Sequence, residues 1–163
     1  MTIYALSSGP GLSGVAVIRI SGSETEKVIL FLTKQNLPIP RVATLRKILN
    51  IDSKELIDEG IILWFPGPNS YTGENMAELH VHGSKAVIQS ILDNISKIKN
   101  CRLAEPGEFT KIAFQNEKIN LLKAEAIGDL IASETEIQRR QALKIIGGKS
   151  SDKFNSWRKI LLK

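Results

Sequence analysis

Apolar and polar residues follow short strand-like patterns over the first half of the chain. These runs predict strands at residues 3–6, 15–20, 42–49, 60–65 and 77–82. The run at 15–20 is apolar at every position except Arg19, so we expect this strand to be buried. Glycine, proline, asparagine and serine fill the segments between several of the runs, which is typical of turns.

Helical spacing predicts one helix after the strand at 15–20 and another after the strand at 77–82. The first follows Gly22, and its inward-facing residues are expected to be Val28, Ile29, Phe31 and Leu32. Ser23 and Glu26 have the spacing of a capping box, so we expect their side chains to cap this helix. The second helix is expected over 84–98.

Beyond about Ile119 the pattern is helical throughout. Gly147 and Gly148 interrupt the apolar spacing, which resumes at Phe154, Trp157, Ile160 and Leu161. The sequence ends within this pattern, so we expect 119–163 to be the incomplete start of a helical domain. A lone helix pair has little to cover its apolar stripe, so this segment is expected to pack on the rest of the chain, self-associate or fray.

Composition fits one globular domain, or one domain with part of another. Apolar residues make up 42% of the 163 residues, and no apolar run approaches the ~20 residues of a membrane helix. No secretory signal is visible at the start, and Cys101 is the single cysteine, so we expect a cytoplasmic protein without an internal disulfide. Cys101 is interpreted as an idle thiol, with a reactive thiol as the alternative.

Positive charge is concentrated at the carboxyl end. Residues 139–163 hold eight Lys or Arg and one acidic residue, a net charge of +7. The other 138 residues hold 14 basic and 16 acidic side chains, a net charge of −2, which argues against a basic nucleic-acid-binding body. The basic segment is either an RNA-contacting helix or the solvated face of a helix whose acidic partners lie elsewhere.

Two glycine-rich segments superficially resemble nucleotide-binding motifs. Residues 9–14 match G-x-G-x-x-G, but a strand follows them where a dinucleotide site needs a helix, so we interpret them as a hairpin connection. The segment 147–150 lacks the upstream glycine of a P-loop and follows a helix. We therefore expect no nucleoside triphosphate hydrolysis by this chain alone.

Glu78, His80 and His82 alternate along one predicted strand, which places them on one face. Three interpretations stay open for this row: a polar wall of a pocket, a metal site, or simple solvated alternation. Arg19 interrupts an apolar strand, and its guanidinium needs either an internal carboxylate or an anionic or polar group of a ligand.

Three motifs occur in order along the chain: VIRISG at 17–22, FPGPNSYTGENMAELHVHG at 65–83 and RLAEPGEFTKIAFQNEKINLLKAEAIGDLI at 102–131. Together they resemble the amino-terminal part of the MnmE (TrmE) tRNA-modification GTPase family. The resemblance implies an α+β fold over 1–118, a mixed sheet with flanking helices similar to the folate-binding part of the glycine-cleavage T-protein. Over 119–163 it implies the first helices of an α-helical domain.

The resemblance also implies a ligand and its site. In this family the first domain dimerises and binds 5-formyl- or 5,10-methylene-tetrahydrofolate, and the folate-contact positions correspond to Arg19, Glu78 and Lys118. A pterin offers an N–H and an amine side by side, which the Glu78 carboxylate can accept together. Arg19 and Lys118 can bind the carbonyl, the formyl group or the glutamate tail. No catalytic or metal-ligating residue is implied within this chain.

For the full-length family, the resemblance implies a cytoplasmic homodimer. It binds GTP, Mg²⁺ and K⁺ in a GTPase domain that this sequence does not include. That protein works with the flavoprotein MnmG (GidA) to modify the wobble uridine of tRNA at C5 (the carboxymethylaminomethyl type). No membrane association is implied.

The leading hypothesis is thus a tetrahydrofolate-binding, dimer-forming module that is catalytically silent alone. The alternatives are a dimerisation scaffold without ligand binding and a weak RNA-binding fragment.

Overall fold

A computed structural model describes residues 1–9, 11–148 and 157–162 of the chain. The chain divides into two compact units, Met1–Phe109 and Thr110–Lys163. The expected boundary between a first domain over 1–118 and the start of a helical domain at 119 stays a prediction. Among the described residues, no helix has both the length and the apolar character needed to span a bilayer.

The first unit is a six-stranded sheet with two helices. Its elements are β1 (Thr2–Leu6), β2 (Ser13–Ser21), α1 (Thr25–Thr33), β3 (Thr44–Leu49), β4 (Leu56–Phe65), β5 (Met76–Gly83), α2 (Lys85–Ser96) and β6 (Cys101–Leu103). The strand order is β3-β4-β5-β2-β1-β6, and neighbouring strands are antiparallel except the parallel pair β1 and β6. The predicted α+β fold with a mixed sheet and flanking helices is confirmed.

Both helices pack on the same face of the sheet. Val28 and Leu32 of α1 and Ile91 and Ile95 of α2 belong to one buried cluster. The strands contribute the apolar residues of their inward face, namely Tyr4, Ala16, Ile18, Ile20, Ile48, Ile62, Leu79 and Val81. Burying one such large side chain contributes roughly 1.5–3 kcal/mol, so this layer accounts for much of the unit's stability. The alternate positions of the central strands are left for the opposite face.

The glycine-rich segment after β1 connects two antiparallel strands, as predicted. Ile3 pairs with Ser21 and Leu6 pairs with Ile18. A strand follows the glycines, so no helix N-terminus is available there to hold a phosphate.

The predicted capping box at the first helix is wrong. α1 begins at Thr25, its N-cap is Glu24, and no side chain of the N-cap position caps it. The hydroxyl of Thr2 on β1 accepts the hydrogen bond of the Glu24 N–H at 2.7 Å. A residue 22 positions away in sequence therefore binds a backbone donor at the start of this helix.

Two residues predicted to be buried are exposed. Val15 is 59% exposed, because it alternates with the buried residues Ala16 and Ile18 and lies on the face of the sheet that the helices do not cover. Phe31 is 43% exposed, and its ring lies 5.3 Å from the ammonium nitrogen of Lys34. The predicted burial of Val28, Ile29 and Leu32 is confirmed.

The cysteine lies at the start of β6. Cys101 is half-buried and free of any disulfide. Burial raises the pKa of its thiol, which lowers the thiolate fraction and favours the interpretation as an idle thiol.

Helices dominate the rest of the described residues. α3 (Glu108–Gln115) begins at the end of the first unit, and α4 (Leu121–Ile131) and α5 (Glu136–Ile146) pack against each other in the second. Ala126 and Ala142 are buried, whereas Ile131 and Ile137 are about four-fifths exposed (82% and 78%). Residues 157–161 form a further helical turn, and Phe154 lies outside the described residues.

The basic residues of α5 have an acidic partner on their own helix. Arg139 and Arg140 both donate to the Glu136 carboxylate at 2.7 Å. These two hydrogen bonds lower the pKa of Glu136 to about 2. The partner is therefore local rather than elsewhere in the chain. Three of the basic residues counted in the tail, Lys149, Lys153 and Lys163, lie outside the described residues.

Replacing Gly22 with alanine should destabilise the first unit by about 2–4 kcal/mol. Gly22 has a φ of 132°, and a Cβ there would lie 2.6 Å from Thr2 Cα and 2.7 Å from the Met1 carbonyl oxygen. Urea unfolding monitored by circular dichroism measures the change.

Gly14→Ala is the matched control, because a Cβ at Gly14 meets no atom within 4 Å. We expect it to change the free energy of unfolding by less than about 1 kcal/mol. Equal unfolding midpoints for the two variants would contradict the argument from close packing at Gly22.

Candidate functional site

Arg19 and Glu78 face each other across the two central strands of the sheet. They are direct partners in the antiparallel register of β2 and β5, 59 residues apart in sequence. Nε and Nη2 of Arg19 both donate to Oε1 of Glu78, at 3.0 and 2.8 Å. The internal carboxylate that sequence reasoning kept as one alternative for Arg19 is thus present, and it is a second residue of the predicted ligand set.

Two aromatic rings lie against the guanidinium. Its Cζ atom is 5.6 Å from the ring centroid of Tyr71 and 5.6 Å from that of Phe109. The Arg19 side chain is 28% exposed and that of Glu78 is 16% exposed. The pair is therefore sufficiently shielded from solvent for its charge interactions to be substantial, and a ligand can still reach its exposed part.

Lys118 belongs to the second unit. It is exposed and follows α3, and its backbone N–H donates to the Ala113 carbonyl at 2.9 Å. Of the three predicted contact residues, the first unit thus contains two, and these two are in contact.

The row of Glu78, His80 and His82 lies on one face of β5, as the alternation predicted. His80 Nε2 is 3.4 Å from Glu78 Oε2, so the histidine borders the carboxylate oxygen that Arg19 does not bind. His82 pairs instead with Asp58, which accepts from the His82 backbone N–H and contacts its Nδ1, both at 2.8 Å. The described part of the chain contains no group of three His, Cys, Asp or Glu side chains that could hold a metal ion.

Sequence reasoning missed the aromatic residues of the site. Tyr71 lies in the segment between β4 and β5, and Phe109 in the first turn of α3. Both fall inside the motifs SYTGEN and EPGEF, where an aromatic residue follows or precedes turn-forming residues. An aromatic residue in a polar turn has no neighbouring apolar residues to pack with along the sequence. Its position there was therefore the feature of the sequence that could have indicated a role in the site.

An apolar groove adjoins the charged pair on the same face. Leu45, Ile61, His80 and Val17 are successive cross-strand partners on β3, β4, β5 and β2. A groove of about 290 Å³ is lined by Leu45, Ile61 and His80 of this row and includes Val15 at its edge. Leu45 and Val15 are 63% and 59% exposed, which is unusual for large apolar residues of a sheet. This face therefore combines a charged pair with an open apolar surface, and His80 borders both.

Comparison with known proteins identifies the family. The family model described as the GTP-binding protein TrmE N-terminus matches residues 2–118. The chain belongs to this TrmE amino-terminal family. The match contains both the Arg19–Glu78 pair and Lys118, so every residue of the predicted set lies within the TrmE amino-terminal region.

The relatives of this TrmE-family chain are proteins of tRNA modification. It is 71% identical over 163 residues to the tRNA modification GTPase MnmE of Pelagibacter ubique. The aligned region covers 100% of this chain and 37% of that protein. It is 45% identical over 163 residues to the mitochondrial 5-taurinomethyluridine-[tRNA] synthase subunit GTPB3 of Homo sapiens, covering 99% of this chain and 33% of that protein. The chain thus spans about a third of the length of the curated relatives it matches.

The Asp58–His82 contact at the end of β5 should make stability depend on pH. Burial acts to raise the pKa of the Asp58 carboxyl, but the hydrogen bonds from His82 and Glu59 outweigh it and hold that pKa below 3.8. A lowered folded-state pKa contributes stability above the unfolded value and loses it as the pH falls through the folded value.

We therefore expect Asp58→Asn to be less stable than the parent at about pH 5, and the gap to narrow toward about pH 3. Thermal unfolding at a series of pH values measures this. Curves for parent and variant that run parallel over the whole range would show that the Asp58 contact does not titrate with folding.

Proposed function

We propose that this chain is the tetrahydrofolate-binding, dimer-forming module of a tRNA-modifying GTPase. The observation that carries the proposal is the Arg19–Glu78 pair on the open face of the sheet, flanked by Tyr71 and Phe109. Family membership and relatives that are tRNA modification GTPases support it.

The donors and acceptors of the pair suit a pterin. One carboxylate accepts an N–H and an amine lying side by side, and Glu78 has such a carboxylate on a rigid strand. Arg19 already donates two N–H groups to Oε1. The other oxygen, Oε2, has a longer contact, 3.4 Å from His80 Nε2. A pterin would therefore approach from the Oε2 side, and a contact with both oxygens would require Arg19 to release one of its two hydrogen bonds to Oε1. Arg19 and Lys118 would bind the ligand's carbonyl, formyl group or glutamate tail.

The larger reaction belongs to the full-length protein. There, the folate held by this module would be the one-carbon donor, either 5-formyl- or 5,10-methylene-tetrahydrofolate, for modification of the tRNA wobble uridine at C5. GTP, Mg²⁺ and K⁺ would act in the GTPase domain, and MnmG would be the partner enzyme. We place this activity in the cytoplasm. The chain itself would supply binding and orientation of the folate.

Calorimetric titration with 5-formyltetrahydrofolate tests the site. We expect saturable binding to the 163-residue chain and a loss of at least tenfold in affinity for Glu78→Gln, because Gln has only one acceptor atom and its NH₂ group would face one of the two ligand donors. Glu55→Gln, an exposed carboxylate on the turn between β3 and β4, is the control and should bind as the parent does.

A second variant separates ligand binding from folding. Lys118 is exposed, so Lys118→Gln should leave the unfolding midpoint unchanged while weakening folate binding severalfold. Lys123→Gln is its matched control on α4. Normal folate affinity in both Glu78→Gln and Lys118→Gln would refute the proposed site, and a flat titration of the parent would favour the scaffold alternative.

The apolar row on the open face favours dimerisation through this surface. Leu45 and Ile61 lie next to each other across β3 and β4 and are 63% and 38% exposed. A pairing of two copies would remove this surface from water. We expect Leu45→Glu to shift the protein from dimer to monomer in sedimentation velocity experiments.

Leu56→Glu is the control for added charge, because Leu56 is similarly exposed (57%) but does not line this groove. It should leave the dimer intact. A parent chain that sediments as a monomer at high concentration, or a Leu45→Glu variant that remains dimeric, would count against this surface.

A further inference from the structure

The side chains of Ser21, Thr72 and Glu74, together with the Glu74 backbone N–H, form a closed ring of hydrogen bonds beside the Arg19–Glu78 pair. Ser21 Oγ donates to Glu74 Oε2 at 2.9 Å and lies 2.7 Å from Thr72 Oγ1. The Glu74 backbone N–H donates to Thr72 Oγ1 at 3.3 Å. A hydroxyl has one proton, so with Ser21 donating to the carboxylate, Thr72 must donate to Ser21. Ser21 thus accepts from Thr72 and donates to Glu74, which links the three residues in one direction.

Burial strengthens this ring. Ser21 and Thr72 are both 0% exposed, so their hydroxyls do not exchange these partners for bulk water. Ser70 Oγ donates to the Glu74 carbonyl at 2.5 Å, so the two ends of the segment 70–74 are also hydrogen-bonded to each other. The segment 70–74 is therefore held in one conformation at the end of β2.

The ring determines which residue lies over Arg19. Ser21 follows Arg19 by two positions on β2, so the two side chains are on the same face of the sheet. Thr72 is bonded to Ser21, and Tyr71 is its neighbour in sequence. Fixing Thr72 at Ser21 thus brings the ring of Tyr71 to Arg19, where its centroid is 5.6 Å from the guanidinium Cζ.

We propose that Tyr71 is a positioning residue for Arg19 and that the ring of Ser21, Thr72 and Glu74 holds Tyr71 in place. The tyrosine ring restricts the guanidinium to the orientation in which it binds Glu78 and meets the ligand. A cation is attracted by the face of an aromatic ring, so this role needs the ring and not its hydroxyl. The consequence for affinity rests on the proposed folate binding, whereas the positioning of Arg19 does not.

Rotation of the Arg19 guanidinium about its Cζ–Nε bond is the direct readout. Nitrogen-15 NMR measures it in the ligand-free 163-residue chain, with the signal assigned by its loss in Arg19→Lys. We expect Tyr71→Leu to speed this rotation at least threefold, and Tyr71→Phe to leave it unchanged. Rotation in Tyr71→Leu as slow as in the parent overturns the proposal.

A pair of variants at Thr72 tests the ring itself. Thr72→Val keeps the shape and removes the hydroxyl, and it should speed the Arg19 rotation as Tyr71→Leu does. Thr72→Ser keeps the hydroxyl and should retain slow rotation, even if loss of the methyl group lowers the unfolding midpoint. If Thr72→Val does not fold, Ser21→Ala removes the middle hydroxyl with a smaller change. Fast rotation in Thr72→Ser, or slow rotation in the variants lacking a hydroxyl, contradicts the role of the ring.

Folate titration of the same proteins separates this inference from the proposed function. Tyr71→Leu should weaken 5-formyltetrahydrofolate binding about three- to tenfold, and Tyr71→Phe should not. Faster Arg19 rotation in Tyr71→Leu, together with a parent chain that binds no folate, would support the positioning role and refute the proposed function. Unchanged Arg19 rotation in Tyr71→Leu, together with normal folate binding by the parent chain, would refute the positioning role and support the proposed function.

Discussion

The cross-strand pair of Arg19 and Glu78 is the interaction on which the candidate site depends. Its physical basis is the register of β2 against β5. Ile18 and Ile20, on either side of Arg19, are fully buried under the helices. A slip of one residue would turn the guanidinium into that apolar layer and the isoleucines into solvent, at a cost of many kcal/mol. The same alternation that builds the core therefore fixes the charged pair on the opposite face.

This opposite face has two neighbouring parts. One is the charged pair with Tyr71 and Phe109 against it, and the other is the apolar groove along Leu45 and Ile61. His80 contacts Glu78 and also lines the groove, so the two parts share a wall. A charged pair next to an open apolar surface is an arrangement that suits both a largely flat, polar-edged ligand and a second protein surface.

The segment between β4 and β5 links the sheet, the first helix and the candidate site. Asn75 accepts hydrogen bonds through its carbonyl from the Gly22 N–H (2.9 Å) and the Thr25 hydroxyl (3.0 Å), at the start of α1. The ring of Ser21, Thr72 and Glu74 ties the same segment to β2. A chain segment without regular structure is thereby ordered by buried hydrogen bonds, which explains how a turn can supply a fixed aromatic side chain to a strand.

Much of the fold was predictable from the sequence, because it depends on local periodicity. The alternation in β5 and the helical spacing of α2, with Ser84 at its start, can each be recognised from a short run of consecutive residues. Arg19 stood out for the same reason, as the one charge in an apolar strand, and the motif around Glu78 marked that residue.

The tertiary structure alone decided which groups meet. Glu78 as the partner of Arg19, Thr2 as the acceptor at the start of α1, and Tyr71 and Phe109 at the guanidinium all depend on residues distant in sequence. The exposure of Val15 and Phe31 likewise depends on which face of β2 and which side of α1 pack into the core. Sequence periodicity specifies the face on which a side chain lies, whereas its neighbours are set by strand register and loop path, which no local pattern contains.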